Sequence, residues 1–313
     1  MSMALRFGVH TGPQYCTLAE LRQVWTLADE RDFDWVSVWD HFYPAVIGVS
    51  RGPCLEGVAS MTALAAATTR VTVGCLVFCV LYRHPALLAK AAVTIDHVSG
   101  GRMELGLGIG WHETECDAYG IPFPSLRERL DRLQESAQLI RRLFDEDAVD
   151  FEGRYYRLRA ARCEPKPVAA RPRIWIGGMG EKRLLRIVAR HADGWNVPFV
   201  APEVFAAKSA VLTSWCERES RDPAAVMRTV NVGLALASDE AGARRKRSAL
   251  GEQFGSMLSF LEPGMLIGTP AEVIDRIGAY RDAGAERVVL ALRAPFDVEG
   301  LALFRDRVLP AFR

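Results

Sequence analysis

Short apolar runs alternate with segments of helical spacing along almost the whole chain. Phe7 to His10 reads as a strand, Leu18 to Arg31 puts Leu18, Leu21, Val24, Trp25 and Ala28 on one helical face, and Val36-Ser37-Val38-Trp39 is a second strand stopped by Pro44. Cys54 to Thr69 is an Ala-rich helix, Val71 to Val77 a strand, and His84-Pro85 opens a helix with proline at its first position. Met103 to Leu107 is a strand that runs into glycines, and Leu126 to Phe144 is a long amphipathic helix. The rhythm then breaks: two β-prone runs flank Glu152-Gly153 and predict a β-hairpin insertion near 149–158. It resumes with strands at Ile174 to Ile176, Gly194 to Val197, Val230 to Ala235 and Val288 to Leu292, separated by helices. An irregular loop is expected near 251–266, followed by a capping box at Thr269-Pro270-Ala271-Glu272.

Eight strands alternating with helices, without a linker or a shift in composition, predict an α/β fold: a (β/α)8 TIM barrel with loop insertions, one domain spanning 1–313. The competing doubly wound sheet would show a nucleotide fingerprint after its first strand, and His10-Thr11-Gly12-Pro13 is not one.

Charge and composition exclude several classes. With 39 basic against 38 acidic residues the net charge is +1, so no broad footprint for nucleic acid or an anionic membrane surface is present. The 7 cysteines are odd in number and scattered, without a Cys-x-x-Cys pair, which is a reduced, intracellular pattern. The longest apolar run, Cys75 to Tyr82, is far short of a membrane span, and the amino-terminal segment does not read as a signal sequence. A cytoplasmic protein is expected.

Candidate chemistry collects where strands end. Asp40 and His41 directly follow the second strand, at the edge where α/β folds bind ligands; the alternative is a capping aspartate and a satisfied core histidine. Gly106-Leu107-Gly108-Ile109-Gly110 lacks the dinucleotide spacing, and its glycines are read as letting a flat ligand approach the backbone, with Trp111 just beyond. Gly177-Gly178-Met179-Gly180 follows a strand and leads into a helix, so free amides and Lys182, Arg183 and Arg186 could receive a phosphate; the alternative is a tight turn with a solvated basic face. No histidine spacing suits a metal, and no nucleophile elbow occurs. Such a mouth suits a bound redox cofactor that brings its own chemistry.

Val38 to Phe42, Tyr82 to Lys90, the Ser99-Gly100-Gly101-Arg102 turn, Gly108 to Trp111, Ala118 to Pro124, Phe151-Glu152-Gly153 and Ile176-Gly177-Gly178 together resemble the luciferase-like flavin and deazaflavin oxidoreductases over nearly the whole chain. The Ala118 to Pro124 segment and the Asp-His-Phe ending look most like the branch that uses coenzyme F420 rather than FMN. The resemblance implies a deazaflavin at the carboxyl end of the barrel, its ring over a bulged third strand near Leu76 and Val77, often with a non-prolyl cis peptide. It also implies Asp40 and His41 beside the ring, with His41 handling a proton or fixing the ring, and the phosphate near Gly177 and Gly178. A small organic substrate would exchange hydride with the ring C5. The family tends to dimerise, and an F420 or flavin reductase would supply reduced cofactor. The family's sugar-phosphate dehydrogenases carry a Trp and a Glu where this chain has Ala45 and Trp111, which speaks against that activity. The rival readings are an FMNH2-dependent two-component monooxygenase and a non-catalytic flavin-binding barrel. The substrate pocket is expected from the loops 43–54, 111–125 and 254–265.

Overall fold

The computed structural model describes residues 4–30, 32–45 and 51–313. Its strands are β1 (Arg6–Thr11), β2 (Trp35–Val38), β3 (Thr72–Cys75), β4 (Phe78–Cys79), β5 (Met103–Gly108), β6 (Val149–Glu152), β7 (Arg157–Ala161), β8 (Ile174–Gly177), β9 (Gly194–Pro198), β10 (Met227–Leu236), β11 (Met265–Gly268) and β12 (Arg287–Leu292). Its helices are α1 (Leu18–Glu30), α2 (Gly57–Ala67), α3 (Pro85–Ser99), α4 (Glu113–Ala118), α5 (Leu126–Asp145), α6 (Leu184–His191), α7 (Pro202–Arg218), α8 (Glu240–Phe254), α9 (Leu258–Leu261), α10 (Pro270–Asp282) and α11 (Val298–Arg307).

Parallel pairing runs β1-β2-β3-β5-β8-β9-β10-β12 and returns to β1, closing the eight-stranded (β/α)8 barrel that the alternation predicts. Strand alternation divides the side chains between two cores. Phe7, Val9, Val36, Val38, Val73, Leu105, Ile174, Val230 and Leu290 face the helices in one continuous cluster. Inside the barrel a smaller cluster holds Trp35, Leu76, Trp175 and Val289. The lower end is filled by large groups: Arg287 lies 4.9 Å from the Trp35 ring and 5.1 Å from the Trp175 ring, and Glu104 accepts from Trp175 Nε1 at 2.9 Å and from Arg287 at 3.3 Å. Higher up the lining turns small and polar. His10 Nδ1 meets Ser37 Oγ at 2.7 Å, and Asn196 donates to Thr229 at 2.9 Å and Asn231 at 3.0 Å.

The third barrel strand is interrupted. β3 stops at Cys75, the Leu76–Val77 peptide is cis, and pairing with β5 resumes in β4. The glycines of β5 face this bulge: a Cβ on Gly106 would lie 2.0 Å from the Cys75 carbonyl oxygen, and one on Gly108 2.3 Å from Val77 Cγ2. Their lack of a side chain therefore admits the neighbouring strand at this bulge.

The antiparallel β6–β7 hairpin is tied to α5 by Glu135, which accepts from the amides of Arg154 at 2.8 Å, Tyr155 at 3.0 Å and Tyr156 at 3.3 Å. The 251–266 stretch expected as an irregular loop starts inside α8 and continues as helical turns, with α9 set between two short 3-10 segments. Helices of one turn are too short to leave a periodic apolar pattern. β11 then pairs with the upper end of β10, Gly233 to Leu236, beyond the Thr229 to Gly233 stretch paired with β12.

Candidate active site

β2 delivers Asp40 and His41 to the carboxyl mouth, and the two residues do different things there. Asp40 is buried, and both of its oxygens are taken: Arg83 donates to them at 2.7 and 2.9 Å, and the Cys79 amide adds a third bond at 3.0 Å. Burial pushes the Asp40 carboxyl up, against the pull of Arg83. Burial also pulls the Arg83 guanidinium down, but its bonds to Asp40 and Glu56 prevail and leave it raised. Asp40 thus fastens the end of β2 to β4 and the Arg83 loop.

His41 is held by a residue that local spacing does not disclose. Glu115, buried on α4, places Oε1 2.5 Å from His41 Nδ1 and accepts from the amides of Phe42 at 2.8 Å and Tyr43 at 3.2 Å and from the Tyr82 hydroxyl. Burial pulls the Glu115 carboxyl up, but the hydrogen bond and charge of His41, with the Tyr82 and Phe42 bonds, outweigh it and hold the group down to about 2. An ionised Glu115 can only accept, so the proton between the two sits on Nδ1, which makes Nε2 the nitrogen that gains or loses a proton. Nothing in the run Glu113-Thr114-Glu115 separates one acid from the other. Only the contact across 74 positions does.

Aromatic rings surround the pair. Trp111 lies edge-on to His41 at 5.3 Å and is 52% exposed, while His112 approaches at 6.0 Å. Phe42 packs between Tyr82 and Tyr119, each at 4.5 Å. On the other side of the mouth Trp39 contacts His10 at 5.3 Å and carries the Arg293 guanidinium over its ring at 5.0 Å. Burial, then the charges of Arg293 and His41, lower His10 to about 3, so it stays neutral. Trp39 Nε1 and His112 Nε2 are buried without a hydrogen-bond partner. Gly110 takes φ 74°, and its carbonyl accepts from Arg129 at 2.6 Å, so this glycine sets a turn.

The Gly177–Lys182 turn lies at the end of β8, as its place in the chain predicts, but much of its polar capacity is committed. The Gly178 amide donates to the Asn196 carbonyl at 3.0 Å, and the Gly178 carbonyl accepts from Trp195 Nε1 at 2.8 Å. α6 begins at Leu184, behind a turn at 181–183. Arg183 pairs with Asp131, and Arg186 with Glu219 at 2.7 Å, so neither is a free cation. Lys208 donates to the Met179 carbonyl at 3.2 Å, and Met179, Gly180 and Lys182 stay exposed. No group of three or more metal-ligating side chains occurs among the described residues. No helix among them is long and apolar enough to cross a membrane.

A closed barrel with a bulged third strand and an imidazole–carboxylate pair at the end of the second defines a class, and the chain belongs to it: residues 1–287 match the luciferase-like monooxygenase family. Within that family it is similar to the F420-dependent glucose-6-phosphate dehydrogenase of Rhodococcus hoagii (strain 103S), with 26% identity over 100% of this chain and 99% of the relative. The enzyme of the same name from Mycobacterium avium (strain 104) is 33% identical over 61% of this chain and 56% of its own length. Among solved structures, an F420-dependent secondary alcohol dehydrogenase in complex with an F420-acetone adduct superposes with a TM-score of 0.86 at 21% identity, covering 99% of this chain and 100% of that one. The monooxygenase RslO1 from Streptomyces bottropensis follows the same fold with a TM-score of 0.85 at 22% identity, again covering 99% and 100%.

Proposed function

We propose that the protein is a coenzyme F420-dependent oxidoreductase that exchanges a hydride between the deazaflavin C5 and a small organic substrate at the carboxyl mouth of the barrel. The observation that carries this reading is His41, fixed through Nδ1 by Glu115, in a chain whose full-length relatives are named for F420.

The mouth fits such a group. Leu76 and Val77 form an apolar step inside the barrel, which would hold one face of a flat ring. Trp39 Nε1 and His112 Nε2 are buried polar atoms that the protein itself leaves unpaired. Trp111 adds an exposed aromatic face beside His41. With the Gly178 amide committed, the phosphate would be met by the Met179 and Gly180 end of the turn and by Lys182. When bound, the deazaflavin supplies a two-electron centre that takes or gives hydride. The chain's own share is positioning and proton handling: His41 accepts a proton at Nε2 from a substrate hydroxyl, or returns it to a carbonyl, while Glu115 balances the charge that develops on the ring.

The same reading makes the protein a cytoplasmic homodimer of one barrel domain per chain, with a small-molecule substrate, no nucleic-acid or membrane partner, and an F420 or flavin reductase that regenerates its cofactor. Titrating the apo-protein with F420 and separately with FMN, by ligand fluorescence and melting temperature, tests it, because a ligand bound only by the folded state raises stability. Micromolar or tighter F420 binding with little response to FMN is expected. The reverse result would shift the case to FMN-dependent oxygen chemistry.

A further inference from the structure

A cavity of about 250 Å³ lies where β10 leaves β12 and takes β11 as its upper partner, and α8 forms its outer wall. α8 turns Ala249, Leu250 and Phe254 toward it, and Leu261 and Met265 close the far side. Gly233 lies beneath it and makes room for Met265, whose Cε is 2.6 Å from where a Cβ there would stand. The charges in the lining are not alike. Lys246 pairs with Asp297 and also donates to the Leu236 carbonyl at 2.7 Å, and Asp297 caps α11 through the Gly300 amide at 2.9 Å. Arg293 has no carboxylate partner among the described residues; its polar contact is a bond from Nη1 to the Ala45 carbonyl at 3.0 Å. It forms the inner wall of the cavity and also lies over Trp39, so it joins this space to the mouth that holds His10 and His41.

We propose that this cavity is the substrate-selecting subsite and takes an apolar-bodied molecule bearing a single carboxylate, received by the guanidinium of Arg293. The proposal rests on the reading of the mouth as a hydride-transfer site and adds the class of its substrate. The walls are mostly apolar, and with Lys246 and Asp297 paired to each other Gln253 is the one uncharged polar side chain in the lining, so most hydroxyls of a sugar would lose their water without replacement. A phosphate dianion would meet one uncompensated cation, whereas a carboxylate matches it charge for charge and can engage the planar fork through two parallel bonds. Pockets that take drug-sized ligands run from about 300 to 1,000 Å³, so a space of about 250 Å³, just below that range, suits a body smaller than a drug-sized ligand.

The test uses the intact protein without cofactor and three probes: hexanoate, hexan-1-ol and glucose 6-phosphate, measured by calorimetric titration. Hexanoate is expected to bind with a dissociation constant on the order of 0.1 to 1 mM, at least tenfold tighter than either other probe. Arg293→Gln should weaken hexanoate at least tenfold and change hexan-1-ol less than twofold, Arg293→Lys should restore part of the loss, and Ala249→Trp should weaken hexanoate and hexan-1-ol alike by filling the space. Glucose 6-phosphate binding as tightly as hexanoate would overturn the proposal, and so would hexanoate binding that neither Arg293→Gln nor Ala249→Trp reduces. F420 fluorescence on the same samples separates the two claims. F420 binding without a hexanoate response removes the subsite alone, and a hexanoate response without F420 binding removes the cofactor reading while the cavity assignment stands.

Discussion

Glu115 Oε1 lies 2.5 Å from His41 Nδ1, and the same carboxylate gathers the amides of Phe42 and Tyr43 and the hydroxyl of Tyr82. One buried acid on α4 therefore sets both the tautomer of the imidazole and the path of the chain after β2. His41→Ala should slow hydride transfer roughly 100- to 10,000-fold while changing F420 affinity far less, the usual size of an acid–base contribution. Equal losses in the transient rate and in cofactor affinity would reduce His41 to a binding residue. Glu115→Gln should lower the same rate and also move its pH profile, because the amide no longer balances a proton on the ring.

The depressed carboxyl of Glu115 has a second consequence, for folding. Its proton affinity falls from the ordinary 4.5 to about 2 in the folded chain, so its contribution to stability is complete above pH 4.5 and is lost as the pH drops toward 2. Urea unfolding followed from pH 6 to pH 3 should show a declining midpoint in the parent protein and a shallower decline in Glu115→Gln.

His10 works in a different window. Burial holds it neutral, with its value lowered from 6.5 to about 3, so the unfolded chain takes up a proton below pH 6.5 that the folded chain refuses. Stability from this source is intact above pH 6.5 and drains away as the pH falls toward 3. His10→Gln should flatten that part of the curve. His191, lowered by burial to about 4, accounts for a slope that remains.

Gly106→Ala should be among the most damaging small substitutions in the barrel, because the new Cβ would stand 2.0 Å from the Cys75 carbonyl oxygen, and a strand backbone cannot swing aside as a flexible side chain can. A loss of about 2 kcal/mol or more is expected from denaturant titration. An unchanged midpoint would mean that β3 has another way to pass β5.

Arg287→Met should cost about 1–3 kcal/mol, because Glu104 loses its buried arginine at 3.3 Å and keeps only the half-exposed Arg173, also at 3.3 Å, as a charged partner. Adding Glu104→Gln should recover part of the loss, since the less well compensated charge is removed. Chemical denaturation of the parent, single and double variants measures both effects.

Much of the barrel is legible in the chain because each central strand, buried on both sides, reads as an unbroken apolar run, and because the residue following such a run stands at the mouth. Val36 to Trp39 shows this: the pattern puts His41 at the carboxyl end of β2, where the structure has it. What stays hidden depends on contacts far apart in sequence. Glu115 reaches His41 across 74 positions, and Arg83 reaches Asp40 across 43. That Val77 fills the space beside Gly106 and Gly108 is not visible in the spacing of the glycines. β11 is missed for another reason: Met265 to Gly268 pairs with β10 outside the ring, so no alternation announces it.

The four large groups at the lower end, Trp35, Trp175, Glu104 and Arg287, are all buried. They make the barrel a blind tube. Whatever meets His41 arrives and departs at one end, and so does any proton His41 exchanges with solvent, so an occupant of the mouth also corks the route by which the imidazole re-equilibrates with water. Reprotonation would then have to wait for product to leave, with chemistry and solvent contact taking turns at a single opening.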